Sequence, residues 1–276
     1  GTKRSYYPRF KKSFGGIIMW EKELKAALEA GLLAKEKILE IYNQDFEIEI
    51  KEDNSPVTLA DKSADEIISK YLSEKFPNYA FLTEESEDNP DRLNNDYVWI
   101  IDPVDGTKDF VAKDGGFTTN IALSYKHEIV VGVIIIPVTG EIYYATKDGG
   151  AYYLKDGIST KIHVNDKLQN LTVLTSVFHT NKDETQLIEK HSDKITTIKK
   201  VGSSIKACHI AHGLAELSYR MSPYTKEWDT AASQIIIYEA GGIMVQPDFT
   251  PLKYNRKDVY NRNGYIIANR KENILL

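Results

Sequence analysis

The stretch Ile101-Asp102-Pro103-Val104-Asp105-Gly106-Thr107-Lys108-Asp109-Phe110 decides the reading of this chain. A buried-strand pattern, Tyr97–Ile101, runs up to Asp102-Pro103 and is expected to stop there. It delivers two carboxylates, three residues apart, into a Pro/Gly turn. Pro103 fixes its own φ, and Gly106 tolerates backbone geometry that other residues avoid. Such a turn can aim both acids and a backbone carbonyl at one point. Hard cations such as Mg²⁺ take oxygen ligands of this kind. A bare Asp-x-x-Asp pair also fits a solvated turn capping the next segment; the full ten-residue string favours a site.

Other acids stand at similar places. Glu84-Glu85 follows a short strand, Ala80–Thr83. Asp229 directly precedes Thr230-Ala231-Ala232 and reads by itself as a helix N-cap. Asp61 opens a helix expected over 61–75, where capping is again the simple reading. With Asp102 and Asp105, these acids occupy strand ends and helix starts, where clefts form. Gathering them is costly: two unit charges about 4 Å apart repel by roughly 4 kcal/mol at an effective dielectric near 20. A divalent metal removes that cost. Two metals could activate a water and stabilise the leaving oxygen of an in-line displacement on phosphorus. The pattern favours metal-assisted phosphoester hydrolysis over carboxylate-only acid/base work.

Gly202-Ser203-Ser204 precedes a helix beginning at Ile205, so its N–H groups and hydroxyls could hold an anion or a sugar hydroxyl; it also fits an ordinary loop. Lys206 and Lys108 are candidate phosphate partners, against the alternative of surface lysines. Ser176 and His179 follow a strand and are candidates for substrate contact. No CxxC, GxxxxGK[ST] or GxGxxG occurs, so zinc, P-loop and dinucleotide sites have no support. No nucleophile-elbow motif is present.

Around these motifs, residues 20–43 form an amphipathic helix and 46–50 a short strand. Thr118–Tyr125, Glu128–Ile136, Glu141–Thr146 and Ala151–Leu154 are strands of a mostly antiparallel sheet. After residue 160 strands and helices alternate, ending with a helix over Thr230–Ala240 and strands at Ile243–Gln246 and Gly264–Ala268. The change near 155–170 predicts two closely packed subdomains sharing a cleft: 19–160, α+β with the metal site, and 161–276, α/β with substrate-binding elements. Residues 1–18 read as a tag-like leader or upstream extension.

Composition is that of a globular protein, 42% hydrophobic and 27% charged. The leader holds five basic residues and no acid, so in the rest of the chain 40 acids face 30 bases, a net −10. An acidic body is a poor partner for a nucleic acid polymer. No apolar run is long enough to span a bilayer. The single cysteine, Cys208, cannot form an internal disulfide, which fits a reducing cytoplasm. The leader reads as a basic tail, with attachment to an anionic membrane surface as the alternative.

Asp61, Glu84-Glu85, Asp102-Pro-Val-Asp105-Gly-Thr107, Trp228-Asp229 and Gly241-Gly242 together resemble the signature of the inositol monophosphatase superfamily, in order and spacing. That resemblance implies Mg²⁺-dependent, lithium-sensitive phosphomonoesterases with a layered αβαβα sandwich fold. Within it, Asp105–Phe110 with Gly116-Phe117-Thr118, Gly202–Cys208 and Glu227–Ala232 resemble the CysQ-type 3'(2'),5'-bisphosphate nucleotidases. At 176–179, Val177-Phe178 replaces the arginine-containing pair of that branch's Ser-Arg-x-His pattern. The resemblance implies metal ligation by Glu84, Asp102, Asp105, Asp229 and the Val104 carbonyl, with two or three Mg²⁺ per site. Thr107, with Asp61, would orient or deprotonate the attacking water. Asp105, Gly106 and Thr107 would also meet the scissile phosphate, with Glu84, Val104, Asp229, Lys108, Ser176, His179, Ser203 and Lys206 completing the substrate site.

The leading expectation is removal of the 3'-phosphate from adenosine 3',5'-bisphosphate, giving AMP and phosphate. A phosphatase for inositol or another sugar phosphate is the second. A non-catalytic metal- or nucleotide-binding module is the third; retention of Asp61 and Thr107 argues against it. The partner is a small phosphomonoester, and the assembly a monomer or homodimer.

Overall fold

Residues 19–44, 48–50, 56–179 and 181–276 are described by the computed structural model. The leader 1–18 and the first two residues of the strand expected at 46–50 lie outside them. The chain opens with α1 (Glu21–Tyr42), the two-stranded antiparallel pair β1 (Ile48–Ile50) and β2 (Pro56–Thr58), and α2 (Leu59–Lys75). A seven-stranded sheet follows in simple chain order: β3 (Ala80–Thr83), β4 (Tyr97–Asp105), β5 (Thr118–Tyr125), β6 (Glu128–Ile136), β7 (Glu141–Thr146), β8 (Gly150–Lys155) and β9 (Ile158–Ile162). Between β4 and β5 lies the short α3 (Thr107–Ala112). Strand β3 is parallel to β4, and every later pair is antiparallel. The chain continues with β10 (Leu171–Thr175), α4 (Lys182–Lys190), β11 (Ile195–Lys200), α5 (Ile205–Ala211), β12 (Leu217–Arg220), α6 (Glu227–Glu239), β13 (Ile243–Val245) and β14 (Tyr265–Ala268). Its strands form a five-stranded mixed sheet in the order β11-β10-β12-β14-β13.

The side-chain period of strands makes the layers. In β4, Trp99 and Ile101 pack with α1 and α2 on one face, while Val98 and Ile100 pack with α5 and α6 on the other. The far side of α5 and α6 meets Leu174, Met244 and Ile267 of the five-stranded sheet, whose outer face is covered by α4 through Leu187 and Ile188. The result is the expected αβαβα sandwich. Helix α6 buries apolar residues towards both sheets, including Trp228, Ala231, Ile235, Ile236 and Ile237. Each of these buried isoleucines contributes about 1.5–3 kcal/mol. The helix approaches β6 closely at Gly132, where a Cβ would stand 2.5 Å from Ile235 Cγ2 and 2.9 Å from the Ala232 carbonyl oxygen.

Three expectations need correction. Strand β4 does not stop at Asp102-Pro103. It runs on to Asp105 through a β-bulge: Asp102 pairs with Asn120 and Asp105 with Thr118, three steps on one strand against two on the other. Pro103 is tolerated there because a bulge releases it from the ladder. The two helix starts also lie earlier than expected. Thr58 caps α2, putting Asp61 three residues inside, and Lys226 occupies the N-cap of α6, putting Asp229 three residues inside. Both acids still serve the helix start, but from the N3 position, by accepting from the N-cap backbone N–H. Strand β9 went unread because its residues, apart from Ile162, are exposed and show no apolar alternation.

Candidate active site

The bulge explains how one turn aims two acids. Residues three apart on a regular strand face opposite sides; the extra residue restores the same side. One carboxylate oxygen each of Asp102, Asp105 and Asp229 lies within 4.8 Å of the others. Glu84 follows β3, with its N–H bonded to the Ile101 carbonyl at 3.2 Å, and lines the same cavity. Val104 and Thr107 line it too, with Thr107 Oγ1 donating to the Val104 carbonyl at 3.4 Å. Gly106 has φ 88°, a left-handed conformation suited to glycine.

These carboxyls resist ionising together. Asp102 is fully buried, and its pKa is held well above the usual carboxylate range by burial, then by Glu84, Asp105 and Asp229. Asp229 is pushed up to about 7 by burial, then by Asp105 and Glu84. Asp102 Oδ1 is buried and has no hydrogen-bond partner among the described residues. An orphaned buried oxygen inside a cluster of acids suits a cation, and an all-oxygen donor set suits Mg²⁺.

Asp105 is oriented by neighbours. Its Oδ2 accepts from the Ser204 N–H at 2.8 Å and the Ser204 hydroxyl at 2.6 Å, with Asn120 Nδ2 at 3.3 Å and Thr118 Oγ1 at 3.4 Å. Ser203, the neighbour singled out from sequence, spends its hydroxyl proton on the Gly116 carbonyl at 2.8 Å. Asp61 does not line the cavity; it is buried, and its Oδ2 accepts from the Thr58 N–H and hydroxyl, each at 3.0 Å.

The cavity, about 680 Å³, extends from the acids to a cationic wall. Lys108, Lys206 and Arg220 line that wall with Ser176 and His179. Lys206 is half-buried rather than a surface lysine; its Nζ donates to the Val201 and Ser203 carbonyls, and burial lowers its pKa to about 8. His179 is pushed down to about 4 by the surrounding protein, then by Arg220, Lys108 and Lys206, so it is neutral at pH 7. The backbone N–H of His179 donates to Ser176 Oγ at 3.2 Å. Phe178 and Tyr224 line the cavity with exposed rings, 41% and 74% accessible. Sequence reasoning missed Asn120, Arg220 and Tyr224, and it read Ser204 as an anion contact, whereas Ser204 bonds Asp105. Arg220 stands at the end of β12, so its only signal was a cation at a strand end.

The sequence profile of the inositol monophosphatase family matches residues 19–275. The chain belongs to that family. It is 34% identical to a 3'(2'),5'-bisphosphate nucleotidase CysQ of Salmonella typhimurium, over 91% of this chain and 99% of the relative. It is 36% identical to the protein of that name from Buchnera aphidicola, over 81% and 84%. The crystal structure of CysQ from Bacteroides thetaiotaomicron, a bacterial member of the family, superposes with a TM-score of 0.80 at 35% identity, covering 92% of this chain and all of that one. Among the described residues, no helix is long and apolar enough to cross a membrane.

Proposed function

We propose that this chain is a Mg²⁺-dependent phosphomonoesterase that removes the 3'-phosphate of adenosine 3',5'-bisphosphate, giving AMP and phosphate. One observation carries the reading: a single cavity has a carboxylate pole at Asp102, Asp105 and Asp229 and a cationic pole at Lys108, Lys206 and Arg220. A substrate with two phosphates fits both poles. A sugar monophosphate fills the first and leaves the second unused. The relatives named as 3'(2'),5'-bisphosphate nucleotidases support the same substrate class.

Glu84, Asp102, Asp105, Asp229 and the Val104 carbonyl would hold the metal. Bound there, Mg²⁺ supplies charge neutralisation and Lewis-acid polarisation of the phosphoryl oxygens. Thr107, with Asp61, would orient or deprotonate the attacking water. Gly106 would hold the scissile phosphate. At the other pole, Lys108, Lys206 and Arg220 would pair with the second phosphate. Neutral His179 would offer a hydrogen bond rather than a charge, and Ser176 and Ser203 would offer oxygens. Phe178 and Tyr224 would present ring faces to the base.

Phosphate release from adenosine 3',5'-bisphosphate and from inositol 1-phosphate, each with Mg²⁺ or with EDTA, tests the reading. The bisphosphate is expected to be the better substrate, and EDTA to abolish release. Arg220→Gln should raise KM for the bisphosphate while leaving turnover of a single-phosphate substrate unchanged. Faster hydrolysis of inositol 1-phosphate, or release that survives EDTA, would overturn it.

A further inference from the structure

The walls of the acidic cavity come from distant parts of the chain, and a buried ion network joins two of them. Arg92 sits in the 3-10 turn Pro90–Asn94, which packs on β3, the strand leading into Glu84. Arg92 is only 2% exposed. Its Nε and Nη2 donate to the two oxygens of Asp88 at 2.6 and 2.9 Å. Nη1 donates to Asn255 Oδ1 at 2.9 Å, and Nη2 also reaches the Arg256 carbonyl at 3.0 Å. Asn255 Nδ2 returns a bond to the Arg92 carbonyl at 3.1 Å.

The same short segment grips α6. The N–H groups of Asn255 and Arg256 donate to the two oxygens of Glu227, at 2.7 and 2.8 Å. Glu227 is fully buried and begins α6. Two residues further on stands Asp229, whose Oδ2 accepts from the Lys226 N–H at 2.7 Å, so the carboxylate follows the helix start. Arg92, Asp88, Asn255, Arg256 and Glu227 do not line the cavity. Any effect they have on the chemistry acts through the groups they hold. Bidentate guanidinium pairing fixes geometry as well as charge, and Mg²⁺ demands near-ideal octahedral ligation.

We infer that Arg92 and Glu227 are positioning residues: they set the spacing between the Glu84 turn and the Asp229 helix, and with it the metal affinity of the site. The inference rests on the metal reading above. Lysine at 92 keeps the charge but cannot span Asp88, Asn255 and the Arg256 carbonyl together. Glutamine at 227 keeps the shape but turns one acceptor into a donor facing a backbone N–H.

Calorimetric titration of the full chain with Mg²⁺ alone, alongside thermal unfolding and steady-state kinetics, tests it. Arg92→Lys and Glu227→Gln should each raise the Mg²⁺ dissociation constant about tenfold. Saturating Mg²⁺ should restore kcat to within about threefold, with KM for the substrate unchanged. Asp88→Asn should shift affinity the same way by less. Unchanged Mg²⁺ affinity in folded variants overturns the inference, even where the thermal midpoint falls. Should a buried variant fail to fold, Asp88→Asn decides, because that side chain is 43% exposed. A wild-type chain that takes up no Mg²⁺ is a different failure: it sinks the metal reading itself.

Discussion

Ser204 gives both its backbone N–H and its hydroxyl to one oxygen of Asp105, at 2.8 and 2.6 Å. The two residues belong to different halves of the chain: Asp105 ends a strand of the seven-stranded sheet, and Ser204 precedes α5. The loop that borders the cationic pole therefore also orients an acid of the carboxylate pole. Hydrogen bonds to a charged acceptor contribute about 1.5–3 kcal/mol each. Ser204→Ala keeps the N–H bond and loses the hydroxyl. It is expected to lower kcat/KM at limiting Mg²⁺ by about tenfold, with little change in thermal midpoint. Steady-state rates across a Mg²⁺ series check this, and a wild-type rate at low Mg²⁺ would rule out the orienting role.

Crowded acids should make the metal a stabiliser as well as a catalyst. A ligand that binds only the folded state stabilises it by about 2.7 kcal/mol at a hundredfold excess over its dissociation constant. Mg²⁺ should raise the thermal midpoint of the wild-type chain. Asp105→Asn should fold, show little Mg²⁺-induced shift and lose turnover by orders of magnitude. Scanning calorimetry with and without Mg²⁺, read beside the rate, measures both effects. A variant with full turnover at saturating Mg²⁺ would refute the ligand role of Asp105.

Asp109 is buried, and its pKa is raised from 3.8 to about 7 by burial, then by Asp114 and Asp105. A carboxyl raised on folding is favoured in its neutral form. Its contribution is complete below the unfolded value and is lost as pH rises towards 7. Asp109→Asn, neutral at every pH, should therefore be more stable than wild type at pH 8, by on the order of 2 kcal/mol. The gap should close by pH 4. Urea unfolding of both proteins at the two pH values in EDTA tests the sign; a gap that is the same at both would contradict it.

Three glycines surround that carboxyl. A Cβ on Gly202 would stand 2.4 Å from Asp109 Oδ1 and 2.4 Å from the Gly116 carbonyl oxygen; on Gly116 it would stand 2.9 Å from Oδ1, and on Gly106 3.0 Å from Oδ2. At Gly202 one obstacle is backbone, which cannot swing aside. Gly202→Ala is expected to cost about 1–3 kcal/mol by overpacking. It should also lower activity, because the shifted loop carries Ser204. Chemical denaturation and rate assays check the two effects; an unaltered midpoint would show that the loop yields freely.

Much of this was legible because it is local. The string Ile101–Phe110 announces itself through residue chemistry and turn geometry, and the layers follow from apolar periods of 2 and 3.6. The bulge in β4 was not legible, since a proline after a strand reads as a stop unless the partner strand is known. The helix starts at Leu59 and Glu227 were missed because Asp61 and Asp229 look like N-caps, while Thr58 and Lys226 hold that position. Nothing in the charged stretch Glu87–Arg92 marks Arg92 as buried. Its burial depends on Asn255, 163 positions away, and no local pattern encodes such a pairing.

The amino-acid order by itself determined which acids are available, which faces of each element are apolar, and the family to which those motifs point. Only the tertiary structure decided that Asp229 comes to within 4.8 Å of Asp102 and Asp105, and that Ser204 rather than Ser203 holds Asp105. Periodicity says which way a side chain faces along its own element. The distance between elements is set by packing, as where Gly132 lets α6 approach β6, and it exists only once the layers have closed.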